Sequence, residues 1–305
     1  MITALAGGVG AAKLLLGLTK IIDPEDLTII VNTGDDIELH GLHISPDLDI
    51  IAYTLAGLVD EEKGWGFRGD TFHCLDALKR FTGAAWFNLG DKDFATHIHR
   101  TNLLRKGRTL TEVTAEISRA LGLKATILPM TDQKFETRIL TREGTMHFEE
   151  YMVKRGAKDE VLGVEFFGVE NAKPAEGVTS AIATAERVVI CPSNPVVSIG
   201  TILAVKGVRD ALKRTKARKV AVSPIIAGAP VKGPADKLLR GLGYEVSAFS
   251  VAKLYSDFLD AFVVDIVDAA EKQHVEQLGL EVKVANTLMK SLDDKVRLAK
   301  TVLEA

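Results

Sequence analysis

The sequence predicts an α/β protein with a doubly wound, mostly parallel sheet. Two observations lead to this prediction. Short β-branched runs alternate with helical patterns, and the first run is followed directly by a glycine-rich turn. Strands that alternate with helices form parallel sheets with helices on both faces. The predicted strands are Ile2 to Ala6, Thr28 to Asn32, Lys124 to Leu128, Arg187 to Cys191 and Lys219 to Ile225.

Composition limits the class of protein. The chain has 305 residues, of which 47% are hydrophobic and 26% charged, as is usual for globular proteins. The formal net charge is -3 and the basic residues are scattered, so we expect no nucleic-acid partner. Cys74 and Cys191 lie far apart, which excludes a disulfide framework and predicts two reduced core thiols.

The location of the protein is predicted from its apolar segments. No apolar run reaches the roughly 18 to 20 residues that span a bilayer, and the first residues lack the basic flank and cleavage site of a signal peptide. We therefore expect a cytoplasmic protein without a membrane partner.

The first βαβ unit is the clearest local signal. After the first strand comes a turn, Gly7-Gly8-Val9-Gly10-Ala11-Ala12-Lys13, and a helix predicted from Ala11 to Ile22. Such a Rossmann-like turn lets backbone N–H groups and a helix N terminus approach a phosphate. It differs from the dinucleotide and P-loop fingerprints. Gly7, Gly8, Gly10 and Lys13 are therefore candidate phosphate-binding residues, and a tight turn without a ligand is the alternative.

The second strand is followed by a polar loop, Asn32-Thr33-Gly34-Asp35-Asp36. Open α/β sheets bind ligands at the carboxyl ends of their strands, and Mg²⁺ takes one or two carboxylates together with phosphate oxygens. A magnesium site at Asp35 or Asp36 is one interpretation, and a solvated turn is the other.

Two more acidic segments precede helical patterns. In Ser45-Pro46-Asp47-Leu48-Asp49, local position favours Asp49 as a helix cap, worth about 1 kcal/mol. In Leu89-Gly90-Asp91-Lys92-Asp93 and the helix that follows, Lys92 and Arg100 suit either an anionic substrate or the surface. His97 and His99 are spaced i, i+2, so they point to different sides of a helix and do not form a shared zinc site.

The patterns in the middle of the chain predict structural elements and no functional residues. Thr109 and Glu112 have the spacing of a capping box for a helix that runs to Leu123. Strand-like runs from Phe135 to Thr141 and from Met146 to Val153 indicate an inserted β-hairpin or small α+β subdomain around residues 133–170. With no linker and no repeat in the sequence, we predict a single domain over residues 1–305.

Two proline-containing loops follow predicted strands in the second half. They are Cys191-Pro192-Ser193-Asn194-Pro195 and the segment from Ser223 to Pro230. Ser193, Asn194 and Ser223 can hydrogen-bond a base or ribose, or else belong to structural turns. Ser193 lacks the Gly-x-Ser-x-Gly elbow of hydrolases. In Trp65-Gly66-Phe67, an aromatic ring either stacks on a flat ligand or anchors packing.

In order along the chain, these segments resemble the 2-phospho-L-lactate transferase family of coenzyme F-420 biosynthesis. The resemblance runs nearly end to end. The segments that carry it are Ala6-Gly7-Gly8-Val9-Gly10, Asn32-Thr33-Gly34-Asp35-Asp36, Pro46-Asp47-Leu48-Asp49, Leu89-Gly90-Asp91-Lys92-Asp93-Phe94-Ala95-Thr96-His97, Pro129-Met130-Thr131-Asp132, Pro192-Ser193-Asn194-Pro195 and Ser223-Pro224-Ile225-Ile226.

The resemblance implies an activity. The 2-phospholactyl group passes from lactyl-2-diphospho-5'-guanosine to the ribityl hydroxyl of 7,8-didemethyl-8-hydroxy-5-deazariboflavin (Fo), and GMP is released. It also implies Mg²⁺ as cofactor and a homodimer. By family pattern, Asp49, Lys92 and Thr96 bind Fo. The family often has Arg where this sequence has Lys92, and lysine lacks the planar fork of arginine.

This chemistry assigns roles to the candidate residues. The diphosphate is expected at the turn from Gly7 to Lys13, beside Asn32, and guanosine at the loops of Ser193, Asn194 and Ser223. Asp35, Asp36 and Asp49 are the catalytic candidates, with Asp35 and Asp49 as metal ligands. Which carboxylate accepts the proton is open at this point.

Two other classes of function remain open from the sequence. A related fold serves bacteria as a non-catalytic, nucleotide-sugar-binding regulator, which keeps the glycine-rich loop but shows no turnover. A nicotinamide dehydrogenase is the other, and the missing third glycine counts against it. The donor acid, lactyl, enolpyruvyl or another, is also open, because one methyl contact decides it.

Overall fold

The computed structural model describes residues 1–83 and 85–305. The described strands are β1 (Ile2–Ala6), β2 (Leu27–Val31), β3 (Ile37–Leu39), β4 (Leu42–Ile44), β5 (Thr126–Pro129), β6 (Glu136–Thr141), β7 (Gly144–His147), β8 (Gly163–Phe167), β9 (Arg187–Ile190), β10 (Arg218–Val222), β11 (Ile225–Ile226), β12 (Ala229–Pro230), β13 (Ala261–Asp265) and β14 (Glu281–Ala285). The described α-helices are α1 (Gly8–Leu18), α2 (Pro46–Leu55), α3 (His73–Thr82), α4 (Asp91–Arg105), α5 (Leu110–Ala120), α6 (Val178–Thr184), α7 (Ile199–Ala204), α8 (Val208–Arg214), α9 (Ala235–Gly241), α10 (Ala248–Tyr255), α11 (Lys272–Glu276) and α12 (Leu292–Glu304).

The central sheet has the strand order β14-β13-β10-β9-β1-β2-β5, and each neighbouring pair is parallel. From β1 the chain moves outward through β2 to β5. It then returns to β9, on the other side of β1, and continues outward to β14. This reversal confirms the predicted doubly wound sheet and places its topological switch point between β1 and β9, where such sheets bind ligands.

Helices cover both faces of this sheet. Along β1, Leu5 packs into one core with residues of α6 to α10, while Ala4 packs into the other with α1, α2 and α12. Because side chains alternate across a strand, a sheet buried on both faces needs the continuous apolar runs seen in the sequence.

Several element bounds differ from those predicted. Helix α1 begins at Gly8, three residues before the predicted start at Ala11, since Gly7 is the extended N-cap residue. Strand β10 ends at Val222, short of the predicted Ile225, because Ser223 turns the chain through hydrogen bonds to Ile225.

The predicted insertion is a three-stranded antiparallel sheet of order β7-β6-β8. The hairpin of β6 and β7 is confirmed, but the predicted strand to Val153 is wrong beyond His147. There the chain enters a π-helical segment, Glu150–Lys154. The Thr137 backbone N–H donates to Gly34 O at 2.7 Å, so the insertion is fixed to the loop after β2.

Two smaller features of the fold also bear on the predictions. The capping box at α5 is confirmed, since Thr109 and Glu112 exchange side-chain-to-backbone hydrogen bonds of 2.9 and 3.2 Å. Among the described helices, none combines the length and apolarity needed to cross a membrane.

Candidate active site

A cavity of about 650 Å³ opens at the carboxyl ends of the central strands. It lies at the switch point, where the loops after β1 and β9 face each other. The predicted site residues that line it are Gly7, Gly8, Gly10, Lys13, Asp35, Asp49, Ser193, Asn194 and Ser223. Asn32 is fully buried beside it. In the described part of the chain, Asp36, Lys92 and Thr96 are not among its lining residues.

The glycine-rich turn is shaped by close packing. A Cβ on Gly7 would lie 2.6 Å from Asp47 Oδ2, and one on Gly10 would lie 2.4 Å from the Pro192 carbonyl oxygen. Gly8 has a φ of 71°, which favours glycine. The Gly7 N–H donates to Ser193 Oγ at 3.1 Å. These contacts hold the N terminus of α1 against the cavity.

Lysine side chains also line the cavity. Besides Lys13, they include Lys232 and Lys290, which sequence reasoning missed because neither belongs to a recognisable motif. Partial burial and the nearby charge of Lys13 lower the pKa of Lys232. Both effects disfavour its charged form, and an anionic ligand between the two lysines would relieve the repulsion.

The centre of the site is a buried carboxylate cluster held by Asn32. Asn32 Nδ2 donates to Asp35 Oδ2 and to Asp47 Oδ2, both at 2.9 Å. Asn32 Oδ1 accepts from Gly34 N at 2.8 Å and from Thr201 Oγ1 at 2.7 Å. Gly34 determines the amide orientation, because its backbone N–H can only donate and must therefore meet Oδ1, which leaves the NH₂ group for the two carboxyl groups.

The pKa values of the acid groups in this cluster are raised strongly. Burial, with the charges of Asp47 and Glu149, raises the pKa of Asp35 well above its usual range. Burial raises the pKa of Asp47 to about 6. Burial, with the charges of Asp47 and Asp36, raises that of Glu149 to about 8. Protons or a cation are needed to neutralise three acids this close.

Asp47 and Glu149 were not among the predicted site residues. Asp47 lies in the same segment as Asp49 and could have been found there. Glu149 comes from the insertion, next to its π-helical segment, and carries no sequence signal that links it to the loop after β2. Both line the cavity.

Asp36 forms hydrogen bonds to three neighbouring segments of the structure. Its Oδ2 accepts from His43 Nε2 at 2.9 Å and from Ser45 Oγ at 2.7 Å. Its backbone carbonyl accepts from His147 Nε2 at 3.1 Å. Asp36 thus joins the hairpin of β3 and β4 to the insertion.

Asp49 is not a helix cap, because α2 already begins at Pro46. Its carboxylate forms a bidentate salt bridge with Arg100: Nη1 lies 3.0 Å from Oδ2, and Nη2 donates to Oδ1. Arg100 is only 2% exposed, so the surface interpretation of this residue is wrong. Burial and the Asp49 charge raise the pKa of neighbouring Asp93 to about 7.

The other predicted Fo-binding residues lie outside the cavity lining. Lys92 is exposed, and its Nζ donates to the Arg68 carbonyl at 3.2 Å. Thr96 is half-buried on α4. Their role in binding stays a prediction.

The polar residues after β9 and β10 form local turns and also face the cavity. Asn194 Oδ1 accepts from Val196 N at 3.0 Å and from Val197 N at 3.2 Å. Ser223 Oγ accepts from Ile225 N at 3.2 Å. The nucleotide-binding role of these residues stays a prediction.

Of the two predicted aromatics, Trp65 lines the cavity and is 36% exposed. The Phe67 ring packs on Tyr53 with centroids 4.1 Å apart. Trp65 is therefore available to stack on a ligand, and Phe67 is a packing anchor.

Cys191 is buried as predicted, but Cys74 is exposed, since it lies on the outer side of α3.

Comparison with known proteins identifies the family. The model of the family described as 2-phospho-L-lactate transferase CofD matches residues 2–301. The chain belongs to this family. The family prediction and the transferase class are thereby confirmed, and a nicotinamide dehydrogenase is set aside.

Individual relatives of this family carry two names. The 2-phospho-L-lactate transferase of Methanosarcina mazei is 43% identical over 300 residues, 98% of each chain. The phosphoenolpyruvate transferase of Streptomyces griseus is also 43% identical, over 99% of this chain and 97% of its own. A solved structure from Bacillus halodurans superposes with a TM-score of 0.66 at 17% identity, covering 99% of this chain and 98% of its own, and shares the fold.

Proposed function

We propose that this protein transfers a 2-phospholactyl group from lactyl-2-diphospho-5'-guanosine to the ribityl hydroxyl of Fo and releases GMP. The observation that carries the proposal is the single cavity wall shared by the glycine-rich turn, the buried carboxylates and Asp49. Family membership supplies the class of reaction. Both support a site where a phosphate-binding turn and carboxyl groups line the same space.

The diphosphate fits the end formed by the glycine-rich turn. The N terminus of α1 offers N–H groups and a partial positive charge there, and Lys13, Lys232 and Lys290 add positive charge. The guanosine is assigned to the loops after β9 and β10, where Ser193 and Asn194 line the cavity. This arrangement follows the general use of a switch-point crevice for nucleotides.

The residues of the carboxylate cluster fit Mg²⁺. Asp35 Oδ1 is buried and has no hydrogen-bond partner among the described residues, while Asp47 lies beside the turn that would hold an anionic diphosphate. We assign the ion to Asp35 and Asp47. Asp49, the other predicted ligand, already binds Arg100 through both oxygens. When bound, the ion would neutralise diphosphate charge.

The reaction requires positioning and one proton transfer. The ribityl hydroxyl oxygen attacks the phosphorus that carries the lactyl group, and a new P–O bond forms. The bond from that phosphorus to the bridging oxygen breaks, and this oxygen leaves with GMP. The hydroxyl proton passes to a carboxylate of the cavity. Asp93, whose pKa is about 7, is suited to accept it near neutral pH.

The direct test is mass spectrometry of the purified protein incubated with Fo, Mg²⁺ and lactyl-2-diphospho-5'-guanosine. We expect GMP and the Fo-phospholactate adduct, and neither without Mg²⁺. Tight binding of a nucleotide sugar without any adduct would instead indicate the regulatory class.

Two further measurements refine the proposal. Competition between lactyl and enolpyruvyl donors identifies the natural acid, since relatives of equal identity carry both names. Asp35→Asn should lower activity and weaken Mg²⁺ dependence. Full activity with unchanged Mg²⁺ dependence would remove Asp35 from the metal site.

A further inference from the structure

His97 lines the cavity from α4 and is only 2% exposed. It lies next to the Asp49–Arg100 salt bridge, at the acidic end of the cavity. His99, two residues later on the same helix, is exposed, and its Nε2 pairs with Glu116 at 3.0 Å. The two histidines therefore occupy opposite environments, and only His97 can meet a ligand in the cavity.

The protonation of the His97 ring follows from its neighbours. Nδ1 lies 3.2 Å from Arg100 Nη1 and 3.6 Å from Asp49 Oδ2. The guanidinium group has donors only, so Nδ1 must accept from it and carries no proton. A hydrogen bond from Nδ1 to Asp49 is ruled out because 3.6 Å exceeds hydrogen-bond length.

The ring is also neutral. An imidazolium ion carries a proton on both nitrogens, so a ring whose Nδ1 accepts from Arg100 is not one, and burial, which lowers the pKa of His97 to about 4, acts in the same direction. A neutral imidazole with an accepting Nδ1 must carry its proton on Nε2. None of the described protein groups accepts a hydrogen bond from this Nε2–H, so the cavity holds a donor without a protein partner.

The charges around His97 indicate what this donor can meet. Asp49 on α2, Arg100 on α4 and His43 are the charged or titratable groups that act on the ring, and Asp93, one turn earlier on α4, lines the same cavity. Arg100 balances the charge of Asp49, so the Asp93 carboxyl group is the remaining source of negative charge, and it favours an uncharged oxygen over an anionic group here.

We propose that His97 is a substrate-binding residue whose Nε2–H donates a hydrogen bond to an uncharged carbonyl or hydroxyl oxygen of the molecule at the Asp49 end of the cavity. Arg100 sets the tautomer through Nδ1. Under the proposed function this molecule is Fo. The identity of the ligand rests on that function, but the tautomer does not.

The tautomer is tested by ¹⁵N nuclear magnetic resonance of histidine-labelled protein without ligand. We expect His97 to remain neutral with its proton on Nε2 between pH 5.5 and pH 8. A proton on Nδ1, or a cationic His97 ring at pH 7, would overturn the assignment.

The contact is tested by steady-state kinetics and by equilibrium binding of Fo. His97→Leu removes the donor, and the KM and Kd for Fo should rise about tenfold, as for the loss of one hydrogen bond. The KM for the guanosine donor should not change. His97→Gln, whose amide can reach the Nε2 position, should recover most of the affinity, and His99→Leu should match the unsubstituted protein.

The possible outcomes separate this inference from the proposed function. If the unsubstituted protein turns over Fo and His97→Leu leaves its KM unchanged, the contact is wrong and the transferase stands. If the unsubstituted protein neither binds nor converts Fo, the proposed function and the Fo contact both fail. Circular dichroism of each variant establishes folding, and His97→Gln provides the test if His97→Leu does not fold.

Discussion

Asn32 is the residue on which the acidic centre depends. Its one amide group serves two buried carboxylates, and hydrogen bonds to charged groups stabilise a protein by about 1.5–3 kcal/mol each. Its carbonyl oxygen is fixed in turn by Gly34 and Thr201. A change at this position therefore affects two acids that sequence reasoning did not connect.

We predict that Asn32→Asp, which keeps the shape of the side chain, lowers the free energy of unfolding by about 2 kcal/mol or more. Two donors become acceptors, and a fourth acid enters the cluster. Urea denaturation in metal-free buffer measures the loss. Asn171→Asp is the matched control, because the exposed Asn171 amide also donates to a carboxylate, Glu170 Oε1 at 3.1 Å. Equal losses in both variants would contradict the prediction.

Glu149 gives the protein a pH dependence of stability. Its folded pKa of about 8 lies above the ordinary value of 4.5. Between these values the folded state binds more protons than the unfolded state, so stability falls as pH rises. Each pKa unit of difference corresponds to about 1.4 kcal/mol.

We predict that Glu149→Gln reduces this fall, so that the variant gains stability relative to the unsubstituted protein between pH 5 and pH 8. Urea midpoints at several pH values, with chelator present, measure the effect. Glu150→Gln is the control, since the Glu150 side chain is only half-buried and pairs with Lys154. A parallel pH profile for Glu149→Gln and the unsubstituted protein would show that Glu149 does not titrate as described.

At the scale of elements, α1 and the loop after β9 fit together through Gly10. Alanine normally stabilises a helix by up to about 1 kcal/mol relative to glycine. Here the added methyl group would overlap the Pro192 carbonyl oxygen, a backbone atom that cannot move without the loop.

We predict that Gly10→Ala destabilises the protein by about 1–3 kcal/mol, the usual cost of overpacking, and weakens guanine-nucleotide binding. Thermal unfolding and calorimetric titration with GDP measure the two effects. Gly163→Ala in β8 is the control, because a Cβ there meets Leu140 at an ordinary 3.7 Å. Stabilisation by Gly10→Ala would mean that the close approach to Pro192 does not exist.

At the scale of the whole molecule, the two cores connect the halves of the chain. One core contains Leu5 and Ile30 with Ile190 and Phe262. The other contains Ala4 and Ile29 with Val189 and Val263. Neither half of the sheet keeps its core when the other half unfolds.

We therefore predict one cooperative unfolding transition for residues 1–305. Differential scanning calorimetry should give a calorimetric enthalpy equal to the van't Hoff enthalpy. Two resolved transitions would show that the chain has independent domains. The homodimer implied by family resemblance stays a prediction. Sedimentation equilibrium, which measures the molar mass in solution, tests it.

The sequence predicted the features that depend on local patterns. Apolar runs and helical periodicity gave the parallel sheet, the glycine-rich turn and the capping box at Thr109. The ordered motifs gave the family. Each of these signals lies within a few residues, because strand and helix periods are local properties of the chain.

Only the tertiary structure decided which polar groups meet. Asp49 and Arg100, 51 residues apart, form a buried pair, although locally they suggested a helix cap and either a substrate contact or a surface charge. Glu149 reaches the cluster around Asn32 from an inserted sheet. His97 acquires its tautomer from Arg100. The topology of the sheet brings these distant segments together. The spacing of residues within one segment therefore cannot predict such contacts.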